Sequence, residues 1–168
     1  MTPLQIQLPT WAAVAPTLLL GLTALVLLLV DSIDPDSTRP TALAGVATIG
    51  SLTALAVAGW FLLAGTGQRG GAIELYGGSI VVDGLSLFFT VVVSSVVTMV
   101  SLASYDYLRD RTYQAEFYSL VMLAATGMSL MGSAGSLATV FVSLELASLP
   151  SYALVAFLQN NRGSVEAG

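Results

Sequence analysis

The sequence predicts an all-α membrane protein, a polytopic bundle of about five transmembrane helices, and three observations support this prediction. Hydrophobic residues make up 55% of the 168 residues and charged residues only 9%, against roughly 25% charged residues in an average soluble domain. The apolar residues are gathered into five blocks. Inside these blocks the only charged side chain is that of Glu145. So few ionic groups could not cover the surface of a water-soluble globule of this size.

The predicted spans cover residues 11–30, 42–64, 85–103, 118–134 and 137–158. A hydrocarbon core about 30 Å thick needs about 20 apolar residues at 1.5 Å per residue. Four of the five blocks reach that length, and the block at residues 118–134 is shorter. Because the backbone in lipid must satisfy its own hydrogen bonds, blocks this long are expected to be helices. Together they are expected to form a single transmembrane domain over residues 1–168.

The fourth and fifth blocks are nearly continuous, so a single long helix is the alternative to two helices here. Such a helix would be far longer than a bilayer is thick. Residues 132–136 interrupt the apolar run with glycines and serines, which favour turns. The sequence therefore predicts a tight reversal between two antiparallel helices.

Between the second and third spans, two short β-prone runs flank Gly77 and Gly78, which is typical of a hairpin. An irregular loop is the alternative. Residues 105–111 are expected to form a charged cytoplasmic loop. Two stripes of small or hydroxyl side chains are assigned to helix packing rather than to a hydrated path. They consist of Gly50, Ala54 and Ala58 in the second span and Thr90, Ser94, Thr98 and Ser101 in the third.

The composition excludes several classes of site. The chain has no cysteine and no histidine, which excludes a disulfide framework, thiol catalysis, a thiolate or imidazole metal site and a Ser-His triad. The five basic residues, all arginines, against ten carboxylates leave a net charge of -5 and no basic patch for nucleic acid.

Arginine counts predict the orientation. The segments on the N-terminal side of the bilayer carry one arginine, and the segments on the other side carry four, namely Arg39, Arg109, Arg111 and Arg162. Positive charge favours the cytoplasm, so the N-terminus is expected outside. The first residues lack the basic stretch of a secretory signal, so the first span is expected to be retained. The expected location is the inner (plasma) membrane.

Glu145 is the candidate functional residue. It lies well inside the fifth block, where an unpaired carboxylate costs on the order of 3 kcal/mol. Desolvation disfavours the charged form of a carboxyl group, and a group that can be neutral or charged within the membrane is what a proton relay needs. The alternative is a protonated Glu145 that only hydrogen bonds between helices.

Three neighbours support the role of Glu145 in this prediction. Ser148 and Tyr152 follow at helical spacing on the same face, so their hydroxyls can donate to a carboxylate or hold water. Pro150 lacks an N–H and leaves the carbonyl of Leu146 without its helical partner, so a kink there could admit water. No second intramembrane charge is present in the spans, so a partner charge must come from elsewhere.

Several of these segments resemble one known family. The acidic motif at 83–89 leads into the third span, and four further motifs follow it in matching order, at residues 116–118, 127–131, 144–152 and 164–168. Together they resemble subunit N of respiratory complex I, the NADH-quinone oxidoreductase (NADH dehydrogenase) family. More distantly they resemble the large subunits of multisubunit cation/proton antiporters. The resemblance is good over residues 83–168 and rests on hydropathy before that.

The resemblance implies a proton-translocating translocase module of the respiratory electron transport chain, coupled at a distance to quinone reduction. Glu145 occupies the position of the family's fifth-helix glutamate, which belongs to a half-channel and pairs with a lysine on a later, broken helix. Family proteins have more helices than the five predicted here, so this sequence is expected to be a fragment or one half of a split gene.

The resemblance also bears on cofactors and partners. The family does not require this subunit to bind NADH or quinone, so no cofactor and no metal are expected in this chain. The expected partners are other membrane subunits of a complex I-like assembly, and the remaining helices of the same subunit. Two alternatives remain: a subunit of a multisubunit sodium/proton antiporter, and a small structural or assembly membrane protein without an ion path.

Overall fold

The computed structural model describes residues 10–33, 40–68, 70–109 and 113–157, and these form a helical bundle with one small sheet. Five helices in this part of the chain are long and apolar enough to cross a membrane. They are α1 (Ala15–Ile33), α2 (Pro40–Ala64), α3 (Gly84–Leu108), α4 (Gln114–Gly132) and α5 (Leu137–Val155). A 3-10 turn, Thr10–Val14, precedes α1. The predicted fold class is confirmed.

The helix ends differ from the ends of the apolar blocks. α3 continues through Tyr105 and Tyr107 to Leu108, so these residues, predicted in a loop, are helical. α4 likewise begins at Gln114, whose Nε2 donates to the carbonyl of Leu108 at 2.8 Å. Backbone hydrogen bonding does not stop where the side chains become polar, so hydropathy underestimates helix length. Leu158, the predicted end of the fifth span, lies outside the described residues.

α4 lies at the centre of the described bundle. It packs against α1, α3 and α5, and to a smaller extent against α2, whereas α2 packs mainly against α3 and α1. α5 packs substantially against α4 alone among the described helices. Half of the most apolar stretch of α4 is buried, compared with 17% of that of α5. The described helices therefore leave most of the α5 surface uncovered.

Small and hydroxyl residues form the contacts between α1, α2 and α3. A Cβ at Gly50 would collide with the side chain of Thr23 on α1. Ala54 and Ala58 are fully buried, and all four residues of the predicted hydroxyl stripe on α3 are buried. Between α2 and α3, Thr98 Oγ1 donates to Ser51 Oγ at 2.9 Å. These contacts support the assignment of both stripes to packing.

The predicted hairpin is present, so the irregular loop was the wrong alternative. Strands β1 (Ile73–Leu75) and β2 (Ile80–Val82) pair antiparallel. The tight reversal between α4 and α5 is also present, and it packs against β2: Val81 N donates to the carbonyl of Ser133 at 2.8 Å, and Gly135 N donates to that of Ser79 at 3.0 Å. We call this end of the bundle the hairpin end.

Two capping motifs fix where helices begin at the hairpin end. Asp83 and Ser86 form a reciprocal capping box at the start of α3: each side chain accepts from the backbone N–H of the other residue, at 2.8 Å in both cases. Ser136 caps α5, since its Oγ accepts from the N–H of Thr139 at 3.2 Å. Such caps satisfy amide groups that have no partner inside the helix.

Candidate functional site

Glu145 lies near the middle of α5. It follows the first residue of that helix, Leu137, by eight residues, which is about 12 Å along the axis. Its side chain is partly buried. Glu145 therefore lies far from either end of a helix that is long enough to span a membrane.

The face of α5 that packs on α4 is defined by Ser143, Ala147 and Pro150, which are all buried. The backbones of α4 and α5 approach closely at Gly127, where an added Cβ would lie 2.5 Å from the backbone nitrogen of Ala147. At roughly 100° per residue, Glu145 lies about 140–160° around the helix from these three residues. Glu145 therefore faces away from α4.

Ser148 and Tyr152 share the outward face with Glu145, at the helical spacing predicted from the sequence. Tyr152 is 61% exposed, and Phe141 and Leu149 on the same side of α5 are exposed as well. The hydroxyl of Ser148 donates at 3.5 Å to the backbone carbonyl of Glu145, not to its carboxylate. The face is thus apolar and open, with three polar groups along it.

Pro150 lies on the buried face, opposite Glu145. The helix continues through this proline to Val155 without interruption. Two other hydroxyl residues of α5 are packing residues: Ser143 is fully buried, and Thr139 Oγ1 donates to the carbonyl of Ser79 at 2.8 Å. That Pro150 admits water beside Glu145 remains a prediction.

The other carboxyl groups of the described helices lie close to helix ends. Asp31 is near the end of α1, Asp106 near the end of α3, and Glu116 in the first turn of α4. Within the described ranges no group of three or more carboxylates is placed to hold a metal ion. The described helices contain no arginine or lysine between their first and last residues, so a cationic partner for Glu145 would come from elsewhere.

Sequence reasoning missed the contact that sets the rotation of α5. Gly127 on α4 and Ala147 on α5 allow the two backbones to approach closely, which small residues permit in lipid. In the sequence, Gly127 stands out only as part of the motif at residues 127–131. Its signal is weak, because the partner residue is distant in sequence and hydropathy treats alanine like any apolar residue.

Comparison with known proteins gives relatives of one kind. Subunit N of the NADH-quinone oxidoreductase of Dehalococcoides mccartyi is 34% identical over 154 residues, which is 90% of this chain and 30% of the relative. The F(420)H(2) dehydrogenase subunit N of Methanosarcina mazei is 36% identical over 157 residues, 90% of this chain and 31% of the relative. The NADH-quinone oxidoreductase subunit N of Erythrobacter litoralis is 30% identical over 157 residues.

The similarity covers more of the chain than the motifs indicated. It extends over about nine-tenths of the residues, so it includes most of the region before 83. No protein-family model matches the chain. The chain spans about three-tenths of the length of these relatives, and it matches their N-terminal part.

Proposed function

Since this chain is a relative of the subunit N proteins of NADH-quinone oxidoreductases, we propose that it forms the N-terminal part of a proton-translocating membrane subunit in a complex I-like assembly. One observation carries the proposal: Glu145 lies near the middle of α5, on a face that the other described helices leave open. Five apolar helices and these relatives identify a multi-pass membrane protein.

In the proposed mechanism Glu145 takes up and releases a proton within the membrane. An unpaired carboxylate facing hydrocarbon costs on the order of 3 kcal/mol, and such groups almost always face other helices or water. The outward face of α5 is therefore where further helices and a partner cation are expected. The hydroxyls of Ser148 and Tyr152 lie along that face and would donate to the carboxylate or to water beside it.

The partners of the chain follow from the same face. We propose that it is covered by the remaining helices of the same subunit or by a split-gene partner, and that other membrane subunits complete the assembly. The chain itself holds no cofactor in this proposal. Relatives named for NADH and for F(420)H(2) match it to a similar degree, so no electron donor is assigned. The proposed location is the plasma membrane, with the N-terminus outside.

The test is a charge-removing substitution in the complete assembly. We expect Glu145→Gln to leave membrane insertion and assembly intact and to lower proton translocation several-fold, because an amide cannot exchange the proton. The measurement is proton uptake by inverted membrane vesicles, normalised to the amount of assembled complex. Glu74→Gln is the matched control, since this carboxylate is exposed on the hairpin, outside the spans.

Two results would count against the proposal. Unchanged proton uptake in Glu145→Gln would favour a structural hydrogen bond as the only role of this residue. Copurification of the chain with subunits of a sodium/proton antiporter, in place of a quinone reductase, would favour the antiporter alternative.

A further inference from the structure

A small pocket lies at the hairpin end, on the side of α4 away from the Glu145 face. It is bounded by α1, the start of α3 and the turn after α4, and four of its lining residues carry hydroxyl groups: Thr17, Ser86, Thr90 and Ser133. The pocket is large enough for about one water molecule. Because hydroxyls line it, it is a polar recess in an otherwise apolar bundle.

Two buried hydroxyls lie one helical turn deeper than this pocket. Ser94 follows Thr90 by four residues on α3, and Ser129 precedes Ser133 by four residues on α4, so each lies about 6 Å further into the bundle on nearly the same face. Both side chains are 0% exposed. The Oγ atom of each has no hydrogen-bond partner among the described residues.

Among the fully enclosed side-chain hydroxyls of the described residues, those of Ser94 and Ser129 are the ones without a partner. Further along the same face of α3, Ser101 Oγ donates to a backbone carbonyl one turn earlier at 2.8 Å, and the Thr98 hydroxyl is shared between the carbonyl of Ser94 at 2.7 Å and Ser51 Oγ at 2.9 Å. One turn before Ser94, Thr90 Oγ1 donates to the carbonyl of Ser86 at 2.9 Å. Each unpartnered hydroxyl therefore lies one helical turn below a residue that lines the polar pocket.

A buried hydroxyl without a partner destabilises the fold, and internal water commonly supplies the missing bond. We propose that ordered water enters the pocket from the hairpin end and hydrogen bonds to Ser94 and Ser129, forming a hydrated niche between α1, α3 and α4. The niche reaches about 15 Å from the first residue of α3, given the ten residues from Gly84 to Ser94. It is independent of the Glu145 site, which faces away from α4.

Water-edited solid-state NMR on the full chain in lipid bilayers tests the niche. We expect magnetisation from water to reach the side chains of Ser94 and Ser129 several-fold faster than that of Ser101. Ser101 is the matched control because it is equally buried, at 0% exposure, and has its hydrogen bond within α3. Resonances are assigned from Ser→Ala variants.

Transfer to Ser94 and Ser129 that is as slow as transfer to Ser101 would overturn the proposal. The route is tested with Thr17→Leu, which fills the pocket: transfer to both serines is expected to fall to the Ser101 rate. Fast transfer that persists in a folded Thr17→Leu chain would refute entry through the pocket. Because the first comparison uses the unaltered sequence, it does not depend on the folding of any variant.

Discussion

At the scale of single residues, the position of Glu145 depends on a residue that has no charge. The contact between Gly127 and the backbone of Ala147 turns one face of α5 toward α4. Glu145 precedes Ala147 by two residues, which places it on the opposite side of the helix. If a different face of α5 packed on α4, the carboxyl group of Glu145 would be buried against α4.

A methyl group added at this contact is predicted to weaken the bundle. In Gly127→Ala the new Cβ would lie 2.5 Å from Ala147 N, against backbone that cannot move aside freely. Overpacking of this kind typically costs about 1–3 kcal/mol. The measurement is the free energy of unfolding of the chain in detergent micelles by chemical denaturation.

Gly59→Ala is the control for this prediction. Gly59 also lies inside a membrane-spanning helix, and an added Cβ there would meet nothing within 4 Å. Since alanine favours helix over glycine, its stability is expected to be unchanged or slightly higher. An equal loss of unfolding free energy in both variants would show that the close contact at Gly127 does not account for the effect.

At the scale of elements, hydrogen bonds between side chains connect helices that have few charges. Thr98 Oγ1 on α3 donates to Ser51 Oγ on α2, and both residues are buried. The turn after α4 is similarly held to β2 through the carbonyls of Ser133 and Ser79. Such bonds determine which helices are neighbours, because lipid gives apolar helix surfaces little preference for one partner over another.

The Thr98–Ser51 bond is predicted to contribute a measurable coupling energy. Thr98→Val and Ser51→Ala are each expected to destabilise the α2–α3 contact, and the double variant is expected to lose less than the sum. Interhelical hydrogen bonds of this type average about 0.6 kcal/mol, with a maximum of about 1.7. A double-mutant cycle on unfolding in detergent gives this value directly.

Thr53→Val serves as the matched control for that cycle. Thr53 is exposed on the same helix as Ser51, and its hydroxyl bonds to the carbonyl of Ile49 within α2. Its pairing with Ser51→Ala is expected to be additive. Zero coupling between Thr98 and Ser51 would mean that the bond does not hold the two helices together.

At the scale of the whole molecule, the structure makes the orientation of the chain testable. Tyr76 is exposed at the tip of the hairpin, and Tyr107 is exposed near the far end of α3. Since α3 is long enough to cross the bilayer, these tyrosines belong to opposite sides. Four of the five arginines on which the orientation was predicted lie outside the described residues.

Single-cysteine labelling is expected to place the hairpin outside the cell. The chain has no native cysteine, so Tyr76→Cys should react with a membrane-impermeant maleimide on intact cells, and Tyr107→Cys only after permeabilisation. The two variants control for each other, because both positions are at least half exposed. The reverse pattern would place the N-terminus in the cytoplasm and contradict the arginine rule for this chain.

The amino-acid sequence was enough to predict five apolar helices, the reversal near residue 134, the hairpin and the position of Glu145 along its helix. These features depend on local properties, since a backbone in lipid must bond within its own segment and a charge there is costly. The sequence predicts the helix ends less accurately, because α3 and α4 extend beyond the apolar blocks to include Tyr107 and Gln114.

The direction in which Glu145 faces can be read only from the packed helices. The same is true of the position of the unpartnered hydroxyls of Ser94 and Ser129. Helical spacing places Ser148 and Tyr152 beside Glu145, but it does not say whether that face meets α4 or the surroundings. The answer depends on the close approach of two small residues on different helices. Hydropathy does not record such a contact, because it scores each residue without its neighbours in space.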